Sequence, residues 1–206
     1  MGDFLTASNT DPKYGVDVAT FGDAKVIHHR LDDLAGALGL EESDPVDMLI
    51  CGGAALTVMG FVARATDDID VLALVLDQED VAARPFPEAL QNAVRRVART
   101  RGLPEDWLNP GPADMQQFGL PQGIVGRAQK KEYGQLLTAR FLDRYDQIHL
   151  KLYAAVDQSG GKHLSDLNQL EPSSDVMTKA ARWCMKQDPS PGFRSGQKKA
   201  DRGSAR

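Results

Sequence analysis

Hydrophobic and polar residues along the first half of the chain follow two different periods. Over residues 24–40 the apolar positions recur at steps of three and four, which predicts an amphipathic helix. Residues 46–51 form a short apolar run and residues 69–76 a nearly all-aliphatic one, which predicts two strands, the second of them covered on both faces. Between these strands, residues 54–61 predict a short helix that ends at Gly60.

The middle of the chain combines a basic helix with an irregular segment. After two prolines, apolar residues between 90 and 98 predict a helix whose other side carries Arg95, Arg96, Arg99 and Arg101. These arginines are typical of a solvated helix face, and they would also suit the entry path of a polyanion. Residues 103–126 are rich in proline and glycine but contain aromatic residues, so we expect a packed loop with short strand or turn pieces.

The last third of the chain predicts one strand and three helices. Alternation over 133–142 predicts the strand, and an apolar stripe over 143–156 predicts the first helix. Lys151 borders that stripe, where a lysine can extend its ammonium group into a cleft. A second helix begins at Lys162, and a final helix over 176–187 follows a Ser-Ser-Asp sequence that is typical of an N-terminal cap.

These elements predict an α+β (α/β) fold made of four segments. Residues 1–24 are a polar N-terminal arm, 25–142 a core of strands and helices, and 143–188 a C-terminal helical part. Residues 189–206 form a basic tail in which Pro, Gly, Ser, Lys and Arg dominate. We expect this tail to be flexible and solvated, with an RNA-contacting arm as the alternative.

Composition excludes several classes of protein. The chain has 206 residues and a formal net charge of −5, so it is not coated all over in the positive charge that marks many nucleic-acid-binding proteins. It shows no signal-peptide pattern and no apolar run of membrane-spanning length, which predicts a cytoplasmic protein without a membrane partner. Cys51 and Cys184 have no partner at zinc or disulfide spacing, so we expect two buried free thiols.

The clearest chemical signal is a pair of carboxylates at the start of the second predicted strand. Asp68 and Asp70 stand at positions i and i+2, so in a strand they project from one face while Ile69 and Val71 face the core. With Asp67 beside them, three carboxylates crowd together, which is unfavourable unless a cation is present. The pattern predicts a divalent-metal site, with a solvated strand end and an Asx turn as the alternative.

Further motifs surround this pair. They are Cys51-Gly52-Gly53-Ala54-Ala55-Leu56, Arg64-x-Thr66-x-Asp68-Ile69-Asp70-Val71, His149-Leu150-Lys151-Leu152-Tyr153-Ala154-Ala155-Val156-Asp157 and Lys162-His163-Leu164-Ser165-Asp166-Leu167. In this order the chain, over roughly residues 25–190, resembles the nucleotidyltransferase superfamily of the polymerase-beta type. More closely, it looks like the AbiEii/MenT-type toxin branch and related bacterial nucleotidyltransferase-like proteins. The resemblance implies a nucleotidyltransferase-like core over 25–142, with a small mixed sheet, flanking helices and a C-terminal helical part that completes the site.

The resemblance also assigns roles residue by residue. Gly52 and Gly53 correspond to the turn that receives the nucleoside triphosphate (NTP), and Asp68 and Asp70 to the pair that binds Mg²⁺, with Mn²⁺ as an alternative. Lys151 resembles the lysine that contacts nucleotide phosphates. Two further residues complete the predicted site: Asp166, the later aspartate and a candidate general base, and Arg64, a cation that helps to neutralise the triphosphate.

The implied activity is transfer of a nucleoside monophosphate from an NTP to the 3′ end of tRNA. A protein of this branch would act as the toxin of a toxin-antitoxin system, block translation and be held by a cognate antitoxin protein. Two alternatives stay open: a nucleotidyltransferase that modifies a protein hydroxyl or a small molecule, and a catalytically silent module that binds a nucleotide or a partner.

Overall fold

The computed structural model describes residues 24–62, 65–66, 68–157, 161–188 and 190. Most of the predicted arm, Arg64, Asp67 and the tail from 191 onward lie outside these residues. Six strands are present in the described part: β1 (Val46–Cys51), β2 (Ile69–Leu76), β3 (Glu79–Val81), β4 (Leu108–Asn109), β5 (Gln129–Tyr133) and β6 (Leu137–Phe141).

Seven α-helices and one 3₁₀-helix surround the strands in the described part. The α-helices are α1 (Ala24–Leu40), α2 (Gly52–Val58), α3 (Glu88–Arg101), α4 (Ile124–Arg127), α5 (Arg144–Asp157), α6 (Lys162–Gln169) and α7 (Ser174–Gln187). The 3₁₀-helix spans Gly111–Phe118.

The strands form one mixed sheet in the order β3-β2-β1-β6-β5, with β4 added beside β2. β1 runs antiparallel to β2 and parallel to β6, which requires the long connection through the middle of the chain. β1 and β2 are mostly buried and apolar, as central strands should be, whereas β5 is a polar edge strand. A small mixed sheet with flanking and C-terminal helices is the α+β architecture predicted from the sequence.

Each face of the sheet packs against different helices. Ile69 and Val71 of β2 lie in a core with α1 and α3, on one face. Leu72 lies in a second core on the other face, with Leu150 of α5 and residues of α4. Because strand side chains alternate, Asp70 projects from the same face as Leu72, toward α5.

A third core joins the C-terminal helices to one another. Leu152 of α5, Leu167 of α6 and Cys184 of α7 are all fully buried there. Ser173 caps α7 by accepting a hydrogen bond from the backbone N–H of Val176, as its sequence predicted. The packing of α6 against α5 matters for function because it brings Asp166 to Lys151.

The structure corrects two predicted boundaries. The short helix runs over Gly52–Val58 rather than 54–61, so both glycines lie in its first turn. The strand predicted over 133–142 is a hairpin, because Tyr133 ends β5, Gly134 turns the chain with φ +63°, and β6 begins at Leu137. The alternation that predicted the strand, Leu137, Ala139 and Phe141 against Thr138 and Arg140, lies within β6 alone.

Two other expectations were that both cysteines are buried free thiols and that the chain has no membrane-spanning segment. Cys51 and Cys184 are both free and buried, as predicted. Within the described part of the chain, no helix combines the length and the apolar character needed to cross a membrane.

Candidate functional site

A small cavity lies between β2 and α5, at the junction of the sheet with the C-terminal helices. Its volume is about 80 Å³. All four predicted motifs contribute to its wall: the first through Cys51 and Gly52, the second through Asp70, the third through Lys151 and the fourth through His163. The remaining wall is formed by α5 and the 3₁₀-helix: Pro112, Met115, Gln147, Leu150 and Ala154. The structure therefore brings together motifs that are as far apart in the sequence as Cys51 and His163.

Asp70 lies at the start of β2, and Asp68 directly precedes the strand. Burial, followed by repulsion from the Asp68 carboxylate, raises the pKa of Asp70 to about 6, while Lys151 acts in the opposite direction. A raised pKa means that the charged form of Asp70 is less favourable in the folded protein than in water when no cation is bound. A cation bound between the two carboxylates would remove that penalty.

Asn109 is a site residue that the sequence did not reveal. It pairs with Asp70 in the register between β2 and β4, and its Nδ2 donates a hydrogen bond to Asp68 Oδ2 at 3.2 Å. Its Oδ1 accepts a hydrogen bond from the backbone N–H of Gly111 at 2.8 Å, which fixes the orientation of the amide. Asn109 therefore holds Asp68 in place beside Asp70.

Gly52 makes room for Asp70. Its backbone adopts φ +67°, and a β-carbon at this position would overlap Asp70 Oδ2. Gly53 is buried in the first turn of α2 and is not among the described glycines with positive φ. The geometry thus gives Gly52 a specific role, which is to let the backbone approach the carboxylate closely. The roles of both glycines toward a triphosphate remain predictions.

Alanine at position 52 should damage the site more than alanine at position 60. Gly60 also has a positive φ, +74°, but a β-carbon there would meet nothing within 4 Å. Both substitutions carry a backbone penalty of about 1 kcal/mol, while only Gly52→Ala displaces the Asp70 carboxylate. We expect Gly52→Ala to lose Mg²⁺ binding, measured by calorimetry, and Gly60→Ala to retain it. Equal affinities in the two variants would show that Gly52 has no special relation to Asp70.

Lys151 and Asp166 form a buried ion pair. Lys151 Nζ donates to Asp166 Oδ2 at 2.7 Å, and the two side chains are only 7% and 1% exposed. The contact joins α5 to α6 and holds the ammonium group beside the cavity, where it lowers the pKa of Asp70. It supports a positioning role for Asp166, because the carboxylate fixes the place of the Lys151 ammonium group. The role of Asp166 as a candidate general base stays a prediction.

Lys162 is a second cation near the carboxylates, and it precedes Asp166 by four residues. It also lowers the pKa of Asp70, although less than Lys151 does, and its side chain is exposed on the first turn of α6. The sequence motif contained this lysine without giving it a role. Its position favours contact with an anionic ligand at the open side of the site.

Gln147 differs from the other buried polar residues. It is fully buried on α5, and neither its amide nitrogen nor its amide oxygen has a hydrogen-bond partner in the described part of the protein. Other buried polar side chains of α5 do have such contacts, including Asp146 with Arg127, His149 with the Tyr145 carbonyl, and Lys151 with Asp166. An unsatisfied buried group costs about 1–3 kcal/mol, so Gln147 requires an explanation.

The donor set fits Mg²⁺. Within the described residues, which leave out Asp67, no group of three or more histidine, cysteine, aspartate or glutamate side chains could hold a metal ion. Mg²⁺ does not require one, because it typically takes one or two carboxylates and completes its shell with water and substrate phosphates. Asp68 and Asp70 are the residues that would hold it. The thiol of Cys51 is not a competing ligand, since burial raises its pKa well above the ordinary value.

The basic helix α3 lies away from this site. Its apolar side packs on the sheet face opposite to Asp70. Arg96 and Arg101 form ion pairs with Glu41 and Asp33, beside an open groove of about 330 Å³ between α1 and α3. The arrangement fits the solvated helix face better than an entry path for a polyanion.

Comparison with known proteins gives one match. Searches of curated proteins and of solved structures found no significant similarity. A family model described as "nucleotidyltransferase of unknown function (DUF6036)" matches residues 29–159, a stretch that includes Gly52, Asp68, Asp70, Gln147 and Lys151 but ends before Asp166. Because the match covers more than half of the chain, the protein belongs to this family of nucleotidyltransferases of unknown function.

Proposed function

We propose that the protein is a Mg²⁺-dependent nucleotidyltransferase that moves a nucleoside monophosphate from an NTP to an acceptor hydroxyl. The observation that carries the proposal is the meeting of Asp70 and the buried Lys151 at one cavity, where burial and the nearby Asp68 carboxylate raise the pKa of Asp70 to about 6. Such a strongly perturbed group in a cleft is typical of a functional site. The family match is consistent with this chemistry.

In the proposed reaction, the acceptor oxygen bonds to the α-phosphorus, the bond from that phosphorus to the α–β bridging oxygen breaks, and pyrophosphate leaves. The hydroxyl proton is released to solvent. Bound Mg²⁺ would supply positive charge where negative charge develops on the phosphate oxygens. Asp68 and Asp70 would hold that ion, Asn109 fixes Asp68, and Lys151 provides a buried cation. Position and electrostatics are what phosphoryl chemistry mainly requires from a protein.

For the acceptor, we propose the 3′ end of tRNA, and for the biological role the toxin of a toxin-antitoxin pair. Support comes from the resemblance of the Gly-Gly, Asp-x-Asp and lysine motifs to the AbiEii/MenT-type branch. On this proposal, adding nucleotides to tRNA would block translation, and a cognate antitoxin protein would restrain the enzyme. Arg64, outside the described residues, keeps its proposed role in neutralising the triphosphate.

A transfer assay tests the proposal. The protein is incubated with Mg²⁺, total RNA and each of the four NTPs labelled at the α-phosphate. Label on RNA of tRNA length would support the tRNA acceptor, while label on protein or on a small molecule would replace it with one of the other acceptor classes. NTP binding without transfer to any acceptor would indicate a silent binding module. Growth arrest on expression, relieved by Asp70→Ala, would support the toxin role.

The raised pKa of Asp70 predicts that metal-free protein loses stability as pH rises. Asp70 titrates near pH 6 when folded and near its ordinary 3.8 when unfolded, so between these values the folded state holds the extra proton. The free energy of unfolding should fall through this window, by on the order of 1–3 kcal/mol from this one group. Asp70→Asn removes the titration and should be the more stable protein at pH 7 in EDTA.

Thermal unfolding of both proteins between pH 4 and 7 checks this result. Mg²⁺ at pH 7 should raise the unfolding temperature of the wild type more than that of Asp70→Asn, because the ion relieves the repulsion between the carboxylates. A wild type that is the more stable of the two at pH 7 without metal would contradict the electrostatic account.

A further inference from the structure

The cavity contains a recognition group that the proposed chemistry does not use. Gln147 lies one helical turn before Lys151 on α5, and both residues line the cavity together with Asp70. The roles proposed above use the carboxylates and the lysine. Gln147 takes no part in them, and its amide has no hydrogen-bond partner among the described residues.

The wall around Gln147 restricts what its partner can be. Beyond the polar groups near Asp70, the lining is mainly apolar, with Pro112 and Met115 from the 3₁₀-helix and Leu150 and Ala154 from α5. Apolar walls suit a flat, weakly hydrated ring, whereas a phosphate would be drawn toward Lys151 and the metal-binding carboxylates. The cavity volume of about 80 Å³ admits only the edge of a base. It is also enough for several waters, so solvent is the alternative partner for the amide.

The amide itself specifies the type of hydrogen bonding. A glutamine presents one acceptor and one donor side by side in a plane. The edge of a nucleobase presents the complementary pair, and adenine, with an amino donor next to a ring-nitrogen acceptor, is the base that a glutamine matches best. Of the parts of an NTP, the base therefore fits both the apolar wall and the unpaired amide.

We propose that Gln147 is the residue that selects the nucleobase of the NTP, with adenine as the preferred base, by pairing with the edge of the base that enters this cavity. The inference rests on the proposed function, because it assumes that the cavity accepts an NTP. The unpartnered state of Gln147 is then the state before the nucleotide binds.

Nucleotide binding tests the proposal directly. Calorimetry with Mg²⁺ and each of ATP, GTP, CTP and UTP should show that the wild type prefers ATP. Gln147→Leu should weaken ATP binding by roughly 5- to 100-fold and leave the other three NTPs nearly unchanged, since a bidentate contact to a base gives discrimination of that size. The unfolding temperature of the ligand-free variant should not fall, because no hydrogen bond within the protein is lost.

Gln91→Leu is the matched control. Gln91 Nε2 donates to the Phe86 carbonyl at 2.7 Å, and its helix α3 lies on the opposite sheet face, so its loss should affect stability but not NTP selectivity. Equal weakening of all four NTPs by Gln147→Leu would assign the amide to the ribose and overturn the proposal. An unchanged ATP affinity, or a lower unfolding temperature without ligand, would do the same, because the amide would then serve water or the fold.

The binding experiment also separates this inference from the proposed function. Selective ATP binding that depends on Gln147, without transfer to any acceptor, would support base selection and contradict catalysis. Transfer activity with no base preference, unaffected by Gln147→Leu, would support catalysis and contradict base selection.

Discussion

Asp70→Asn is expected to lower the rate of nucleotidyl transfer by on the order of 100-fold or more, the size of the loss when one preorganised electrostatic group is removed from an active site. An asparagine keeps the shape of the side chain and removes the charge that would hold Mg²⁺. The labelled-NTP assay measures the effect. Because the same substitution should stabilise the metal-free protein at pH 7, a loss of activity could not be attributed to unfolding.

Asp77→Asn is the control for this substitution. Asp77 follows the same strand β2, but it is exposed in the turn to β3 with φ +51°, a conformation that asparagine adopts easily. Its substitution should leave both the transfer rate and the response to Mg²⁺ unchanged. If Asp70→Asn retained as much activity as Asp77→Asn, the assignment of Asp70 to the metal would be wrong.

Local patterns were sufficient to predict how the carboxylate half of the candidate site is arranged on its strand. Asp68 and Asp70 were predicted to share a face from the period of a strand alone, and the structure has Ile69 and Val71 in the opposite core. The approach of Gly52 to Asp70 required more, namely the antiparallel pairing of β1 with β2, which sets Cys51 opposite Asp70. A sequence motif does not show which strands pair or in which register.

Asn109 illustrates why the remainder of the site was not predictable. It belongs to a strand of only two residues, inside a segment whose prolines and glycines give no periodic signal. Its place beside Asp68 comes from parallel pairing with β2, a contact between residues about 40 positions apart. The sequence could indicate a packed loop there, but not which of its side chains would meet the carboxylates.

Helix α5 shows a second limit of pattern reading. Its apolar stripe predicted one buried side, whereas Asp146, Gln147, His149 and Lys151 are buried as well. Helices α2, α6 and α7 contact α5, and its Leu150 packs against the sheet, so nearly the whole helix is covered. Burial of polar positions by distant elements is a tertiary effect, and it is what turns Lys151 from a residue at the edge of a stripe into half of a buried ion pair.

That ion pair leads to the second large effect. Lys151→Met should lower the free energy of unfolding by about 3–5 kcal/mol, because the buried Asp166 carboxylate loses the cation that compensates its charge. Urea unfolding measures the loss. Lys179→Met is the matched control: Lys179 pairs with Asp175 on the surface of α7 at the same 2.7 Å, but both side chains are exposed, so stability should change little.

The double variant Lys151→Met/Asp166→Leu separates the structural role of the pair from its role in the reaction. Replacing both buried charges with apolar side chains should recover most of the stability lost in the single variant, since buried ion pairs contribute little net stability over a well-packed apolar pair. Transfer activity should stay lost, because the site still lacks the ammonium that would face the phosphates. Recovery of activity together with stability would mean that Lys151 serves only the packing of α5 against α6, and that the charge for the triphosphate comes from elsewhere.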